Sequence, residues 1–200
     1  MQRAVIFDFG GVLMKTADYT PRHTWDTRLN LPIGSVERAV HNDDSWRKAQ
    51  TGMVDITEYW QDVGDRLKLN VKQTGQLASD FYSGDALDEA HIDYIRQLRE
   101  EGFTVGLLSN DSLELAPKLR RLEIDTLFDP LVISAQIGVM KPDTRAYEAV
   151  LRQLNRPADE VIFIDDRPEN VTGANVVGIH GVHYKNGMDL ASALAELLYT

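Results

Sequence analysis

Short hydrophobic runs, each closed by a polar residue, alternate along most of this chain with stretches whose apolar residues fall three or four apart. Ala4-Val5-Ile6-Phe7 stops at Asp8, residues 103–108 stop at Ser109-Asn110, and Val161-Ile162-Phe163-Ile164 runs into Asp165-Asp166. Residues 131–134 and 179–183 are two further runs of the same kind. Runs of this length bounded by turn residues predict buried strands. Between them, Leu87, His91, Tyr94, Ile95 and Leu98 recur at helical spacing, with Gly102 as a stop. Pro117 suits the first turn of a second helix. Asp143 is placed to cap a third, whose Tyr147, Val150, Leu151 and Leu154 share a face, and helices are expected over 168–174 and 189–198. Strand alternating with helix predicts an α/β fold with a parallel sheet covered on both faces, whose ligands gather beyond the carboxyl ends of the strands.

Residues 15–84 read differently. No β pattern is visible there, but 21–29, 35–42, 44–50, 55–67 and 72–82 are short amphipathic stretches separated by turn residues. Asp55-Ile56-Thr57-Glu58 has capping-box spacing ahead of an apolar face of Ile56, Tyr59, Trp60, Val63 and Leu67. The expected organisation is an α/β core from 1–14 and 85–200, with a small helical bundle over 15–84 inserted after the first strand.

Composition narrows the partners. The 200 residues carry 21 Lys plus Arg against 31 Asp plus Glu, a net charge of −10 with no basic run, so a nucleic-acid partner is not expected. Cysteine is absent, which removes disulfides, thiolate catalysis and sulfur-based zinc sites. No stretch approaches the ~18 apolar residues of a membrane span, and Asp8 interrupts the N-terminal apolar run of any signal peptide. The expectation is a cytoplasmic protein, monomer or homodimer, without membrane association.

The polar groups at the strand ends carry the candidate chemistry. Singly, Asp8 reads as a turn or cap, Ser109-Asn110-Asp111 as a turn and Lys141 as a surface lysine, whereas the adjacent Asp165-Asp166 repel unless a cation or lysine meets them. Together and in this order they resemble the four motifs of the haloacid dehalogenase-like hydrolases. These are Asp8 in Phe7-Asp8-Phe9-Gly10-Gly11-Val12-Leu13, Ser109 in Leu107-Leu108-Ser109-Asn110, Lys141 in Met140-Lys141-Pro142, and Asp165-Asp166 in Ile164-Asp165-Asp166-Arg167-Pro168-Glu169-Asn170. The match spans almost the whole chain. An insertion directly after the first motif is similar to the helical-cap subgroup, which includes small sugar-phosphate phosphatases and the N-terminal phosphatase domain of soluble epoxide hydrolase.

The resemblance implies a three-layer Rossmann-like core under a helical cap that closes over a small phosphorylated substrate. It implies that Asp8 attacks phosphorus and forms an aspartyl-phosphate that water hydrolyses. It implies Mg²⁺ held by Asp8, the carbonyl of Gly10 and Asp166, with Asp165 behind them. Ser109 and Asn110 would bind phosphate oxygens, and Lys141 would offset negative charge, contact phosphate and orient Asp8.

One position departs from the common phosphatase pattern: Gly10 stands where a second Asp acts as general acid and base, help worth roughly 10² to 10⁴ in rate. Alternatives are therefore a 2-haloacid dehalogenase-like hydrolase, which needs neither that acid nor a metal, and a catalytically weak ligand-binding member. His23 is a candidate replacement donor. A response-regulator receiver shares the residue types, but its acidic pair follows its first strand and it has no room for the insertion. Arg22, His23, Trp25 and Arg47 are candidates for the cap side of a pocket. Trp46 and Trp60 read as cap core, and His180 and His183 as opposite-facing strand residues, not a metal pair. Gly10-Gly11 lacks the rest of a nucleotide-binding fingerprint.

Overall fold

A computed structural model describes residues 2–199. Strand β1 (Ala4–Phe7) enters the core and β2 (Met14–Thr16) leaves it. Five helices follow: α1 (Thr20–Arg28), α2 (Ser35–Val40), α3 (Ser45–Gln50), α4 (Ile56–Leu67) and α5 (Val71–Phe81). The chain returns through β3 (Asp85–Leu87) and continues as α6 (Glu89–Glu100), β4 (Thr104–Ser109), α7 (Leu115–Arg121), β5 (Leu131–Ile133) and α8 (Ser134–Ile137). It ends as α9 (Thr144–Leu154), β6 (Val161–Asp165), α10 (Pro168–Val176), β7 (His180–His183) and α11 (Leu190–Leu198). Met1 and Thr200, which the sequence reading assigns to the core, lie outside the described residues.

The sheet is parallel throughout, in the order β5-β4-β1-β6-β7. All four residues of β1 are buried, because the sheet is covered on both sides. Val5 and Phe7 face one layer with Ile92, Ile95, Leu119 and Leu194, while Ala4 and Ile6 face the other with Tyr147, Val150 and Ala174. That period-two split makes a continuous hydrophobic run into a central strand. Burying side chains as large as Val5, Ile6 and Phe7 stabilises the fold by roughly 1.5–3 kcal/mol each. From β1 the chain builds β4 and β5 on one side and then crosses to β6 and β7 on the other. The crevice at that reversal opens beside the residue after β1, which is Asp8.

The inserted helices have their own hydrophobic cluster, in which Trp25, Val36, Tyr59, Val63, Leu77 and Phe81 are buried. Asp55 caps α4 by accepting from the Thr57 and Glu58 amides, but the reciprocal half of the expected capping box is absent. The complete box is at α5, where Asn70 and Gln73 exchange both bonds. Two strands were not expected. β2 and β3 pair antiparallel, Met14 with Leu87 and Thr16 with Asp85, so Leu87 belongs to a strand and not to the helix after it. Each has only three residues and finds its partner far along the chain, so no local periodicity announces it. Among the described residues no helix is long and apolar enough to cross a membrane.

Gly106 gives a direct check on the packing of the sheet. A Cβ there would lie 2.7 Å from Ile6 Cδ1 and 2.8 Å from the Pro130 carbonyl oxygen, so the neighbours must shift. Gly106→Ala is expected to cost about 1–3 kcal/mol, lowering Tm by about 2–4 °C per kcal/mol. Thermal denaturation followed by circular dichroism checks this, and an unchanged Tm would contradict the packing described.

Candidate active site

Three strands deliver their ends to one point. The Asp8 amide donates to the Ile164 carbonyl at 2.9 Å, so the β1–β6 ladder continues through Asp8 and fixes its side chain above the sheet. The following turn closes by bonds from the Leu13 and Met14 amides to the Phe9 carbonyl and from the Gly11 amide to the Met14 carbonyl, none of which uses the carbonyl of Gly10. Gly11 is required twice over: its φ is +79°, and a Cβ there would overlap the Asp166 carboxylate. The second glycine is thus what lets the β1 turn approach the acidic pair after β6, a role the sequence reading did not assign.

Lys141, arriving from the segment after α8, binds these ends together. Its Nζ lies 2.8 Å from Asp8 Oδ1, 2.7 Å from Asp165 Oδ2 and 2.8 Å from the Leu108 carbonyl. Three acceptors match the three protons of an ammonium, so Lys141 has no proton left over for another ligand and acts on one through its charge. Asp165 is fully buried and accepts in addition from Asn170 Nδ2, 3.0 Å from both oxygens, and from the Arg167 amide at 2.8 Å. Asn170 is the supporting residue that sequence reasoning missed. Its signal was present in the quoted motif, an amide side chain in the first turn of the helix after the acids.

The carboxylates outnumber their counter-charge. One ligand oxygen each from Asp8, Asp165 and Asp166 lies within 4.8 Å of the others, with a single ammonium among them. Burial, with Asp165 adding to it and Lys141 opposing it, pushes the Asp8 carboxyl up to about 7. Burial and then Asp165 push Asp166 up as well. An oxygen-only donor set with surplus negative charge fits a hard divalent cation such as Mg²⁺.

Beside this cluster, the Ser109 side chain lines the cavity and makes no hydrogen bond within the described residues. Asn110 is engaged at both ends of its amide: Nδ2 donates to the Lys141 carbonyl at 2.9 Å, and Oδ1 accepts from the Lys141 amide at 2.8 Å. Its side chain therefore holds the lysine's backbone. The helical unit joins this chain of bonds through Gln50, whose Nε2 donates to the Asn110 carbonyl at 2.7 Å, while the Gln50 carbonyl accepts from Ser134 Oγ at 2.6 Å.

A cavity of about 1120 Å³ lies between the sheet end and the inserted helices. Trp46 and Trp60 pack on the helical cluster, as expected, yet both also line this cavity. Of the four residues expected on its far wall, only Arg22 is there, and its guanidinium is held by the Phe81 carbonyl, Glu37 and Asp85. Trp25 is buried in the helical cluster and bonded to Asp80, His23 stacks on Tyr19, and neither they nor Arg47 line the cavity. His180 and His183 hold no place in the acidic cluster; His183 Nε2 contacts the Asp166 carbonyl at 3.0 Å.

Comparison with known proteins agrees with this geometry. Residues 2–178 match the family model of the haloacid dehalogenase-like hydrolases. The chain is 29% identical to a sesquiterpene phosphatase of Aspergillus oryzae over 98% of its own length and 96% of that protein. It is 30% identical to a phosphatase of Mycobacterium tuberculosis over 88% of its length and 84% of that protein. Its fold is similar to that of a HAD family enzyme from Bacteroides thetaiotaomicron solved with magnesium and inorganic phosphate. The TM-score is 0.80 at 20% identity, over 96% of this chain and 99% of that one.

Removing the ammonium exposes the charge balance. In chelator, Lys141→Met leaves buried carboxylates unopposed and is expected to cost about 3–5 kcal/mol near neutral pH. Carboxyls raised in the folded state bind more protons there than in the unfolded chain. Their destabilisation is therefore absent below the ordinary value of 3.8 and grows as pH rises toward the folded value, about 7 for Asp8. Melting curves at pH 5 and pH 8 should show the larger deficit at pH 8, and an equal deficit would contradict this charge balance.

Proposed function

Because this chain belongs to the haloacid dehalogenase-like hydrolases, we propose that it is a Mg²⁺-dependent phosphatase of small phosphate monoesters, with residues 15–84 acting as a cap over the core formed by 1–14 and 85–200. The observation that carries the reading is the trio of Asp8, Asp165 and Asp166 around a buried lysine at the mouth of a large cavity. The phosphatase relatives and the magnesium and phosphate held by the Bacteroides enzyme support it.

In this reading Asp8, the Gly10 carbonyl and Asp166 hold the cation. When bound, Mg²⁺ keeps the crowded carboxylates ionised and withdraws charge from the phosphoryl oxygens. Lys141 grips Oδ1 of Asp8 and fixes its rotation. An Asp8 oxygen attacks phosphorus, the bond to the ester oxygen breaks, and the leaving group departs with a proton from solvent. Water then hydrolyses the aspartyl-phosphate and frees Asp8. The unpartnered Ser109 hydroxyl donates to a phosphoryl oxygen, and Lys141 contributes positive charge. Asn110 acts on phosphate chiefly through the lysine it positions, and Asp165 through the same lysine.

Gly10 by itself favours the dehalogenase alternative, since displacement at carbon needs no acid there. The three clustered carboxylates weigh against it, because a halide leaving group is repelled by surplus negative charge. Phosphate release from a panel of sugar and nucleotide monophosphates, with Mg²⁺ and with chelator, tests the proposal. Activity is expected only with the metal, and Asp8→Asn should lower it by about 10³-fold or more. Metal-independent turnover, or chloride released from haloacids, would overturn it.

Gly10 offers a second test. A Cβ at this position meets nothing within 4 Å, so a side chain can start there without a clash. Gly10→Asp is expected to raise kcat by about 10²-fold for alkyl phosphates, whose leaving groups need a proton, and far less for p-nitrophenyl phosphate. Equal effects on both would locate the limiting step elsewhere.

A further inference from the structure

The cavity extends beyond the acidic cluster along α7, whose side of it holds two cations without an ion pair. Lys118 and Arg121 stand one turn apart on α7, and both line the cavity. Among the described residues neither side chain has a hydrogen bond or a carboxylate oxygen within 4.0 Å, although the chain carries a net charge of −10. The other lysines and arginines that line the cavity are all paired, Lys15 with Asp88, Arg22 with Glu37 and Asp85, Lys141 with Asp8 and Asp165, and Arg167 with Glu169. Lys118 is instead set between two rings, its Nζ 5.6 Å from the centroid of Phe9 and 5.4 Å from that of Tyr82. Phe9 adjoins Asp8, and Tyr82 closes α5, so the ammonium spans the seam between sheet and inserted helices.

Two acids share this wall, Asp111 and Glu114. Asp111 is turned to its own chain, accepting from the Ser112 amide at 2.7 Å; burial pushes its carboxyl up to about 6, opposed by that bond and by the Lys118 charge, which lies beyond ion-pair distance. Glu114 is one turn before Lys118, yet among the described residues it is in no ion pair. On the side of the inserted helices Tyr82, Trp46 and Trp60 also line the cavity, and among the described residues neither the Tyr82 hydroxyl nor either indole N–H has a hydrogen-bond acceptor. This part of the cavity thus presents ring surface, unpaired donors and unpaired positive charge, and it suits the body of a substrate that ends in an anion.

We propose that Lys118 and Arg121 form a second anion subsite, so that the preferred substrates are phosphate monoesters whose leaving group carries a further carboxylate or phosphate. This rests on the phosphatase reading. The transferred phosphoryl group lies at Asp8 and Ser109, the second anion lies against α7, and the leaving group spans the aromatic wall between them.

Matched pairs of substrates test it: glycerol 3-phosphate against 3-phosphoglycerate for a carboxylate, and fructose 6-phosphate against fructose 1,6-bisphosphate for a phosphate. A charge-assisted hydrogen bond should favour the second member of at least one pair by about 10-fold or more in kcat/KM, mostly through KM. Whichever pair responds identifies the anion. Lys118→Met keeps the stem between the rings and removes the charge, so the preference should fall toward one, and Lys118→Arg should retain most of it. Ratios near one in the wild type, or a ratio untouched by Lys118→Met, would overturn the subsite. Titration calorimetry of the Asp8→Asn variant with both pairs in Mg²⁺ reads the same ratio without turnover. An affinity preference there with no phosphate release by the wild type would uphold the subsite and refute the phosphatase reading, and its absence would refute the subsite.

Discussion

One ammonium group ties the molecule's working end together. Lys141 reaches Asp8 beyond β1, the Leu108 carbonyl in β4 and Asp165 at the end of β6, and so links three adjacent central strands at their carboxyl ends. Without it two buried carboxylates would face each other across a low-dielectric gap, and burial would drive them to protonate. With it the cluster retains a deficit of positive charge that a divalent cation and its surrounding donors are suited to fill. The structure around the lysine follows from holding it in place: Asn110 clasps its peptide, Asn170 and the Arg167 amide orient Asp165, and the Tyr147 hydroxyl donates to the Asn170 carbonyl at 2.6 Å.

The inserted helices are coupled to this arrangement at two points of different character. At the β2–β3 ribbon, Arg22 spans Phe81, Glu37 and Asp85, and Asp85 also accepts from Thr16, so a buried cation fastens α1 to the segment through which the chain leaves and returns. At the far end, Gln50 connects α3 to the loop after β4 through the Asn110 carbonyl and to the start of α8 through Ser134, and Gly52 packs so closely on the Ala135 carbonyl that no side chain would fit. The second contact leads by Gln50, Asn110 and Lys141 to Asp8. A change in the seating of the helices has a connected route to the Asp8 carboxylate.

Much of the core was legible because the relevant physics is local. A run such as Ala4-Val5-Ile6-Phe7 has one stable use, a strand buried on both faces, and a polar residue at its end must stand at the sheet's rim. Asp8, Ser109 and Asp165-Asp166 could therefore be assigned to one rim before any coordinates, and Lys141 joined them through the order of the motifs. The five helical stretches were legible from their periodicity for the same reason. The ribbon of β2 and β3 was not, because three-residue strands are defined by a partner across the whole insertion. Trp46 and Trp60 were read as core and are both core and cavity wall, a division of one ring's surface that periodicity does not resolve.

The sequence by itself determined the alternation of strand and helix, the residues at the strand ends and the family those residues belong to. Each of these depends on neighbours a few positions apart or on the linear order of motifs. Only the tertiary structure decided that Gly11 clears space for Asp166, that Asn110 spends its amide on Lys141, and that Gln50 reaches across from the helices. It alone put Arg22 into a buried ion network and left Lys118 and Arg121 facing a cavity without an ion-pair partner among the described residues. Those outcomes depend on which side chains meet across long sequence separations, and hydrogen-bond saturation and charge pairing are properties of that meeting, not of the residues taken one at a time.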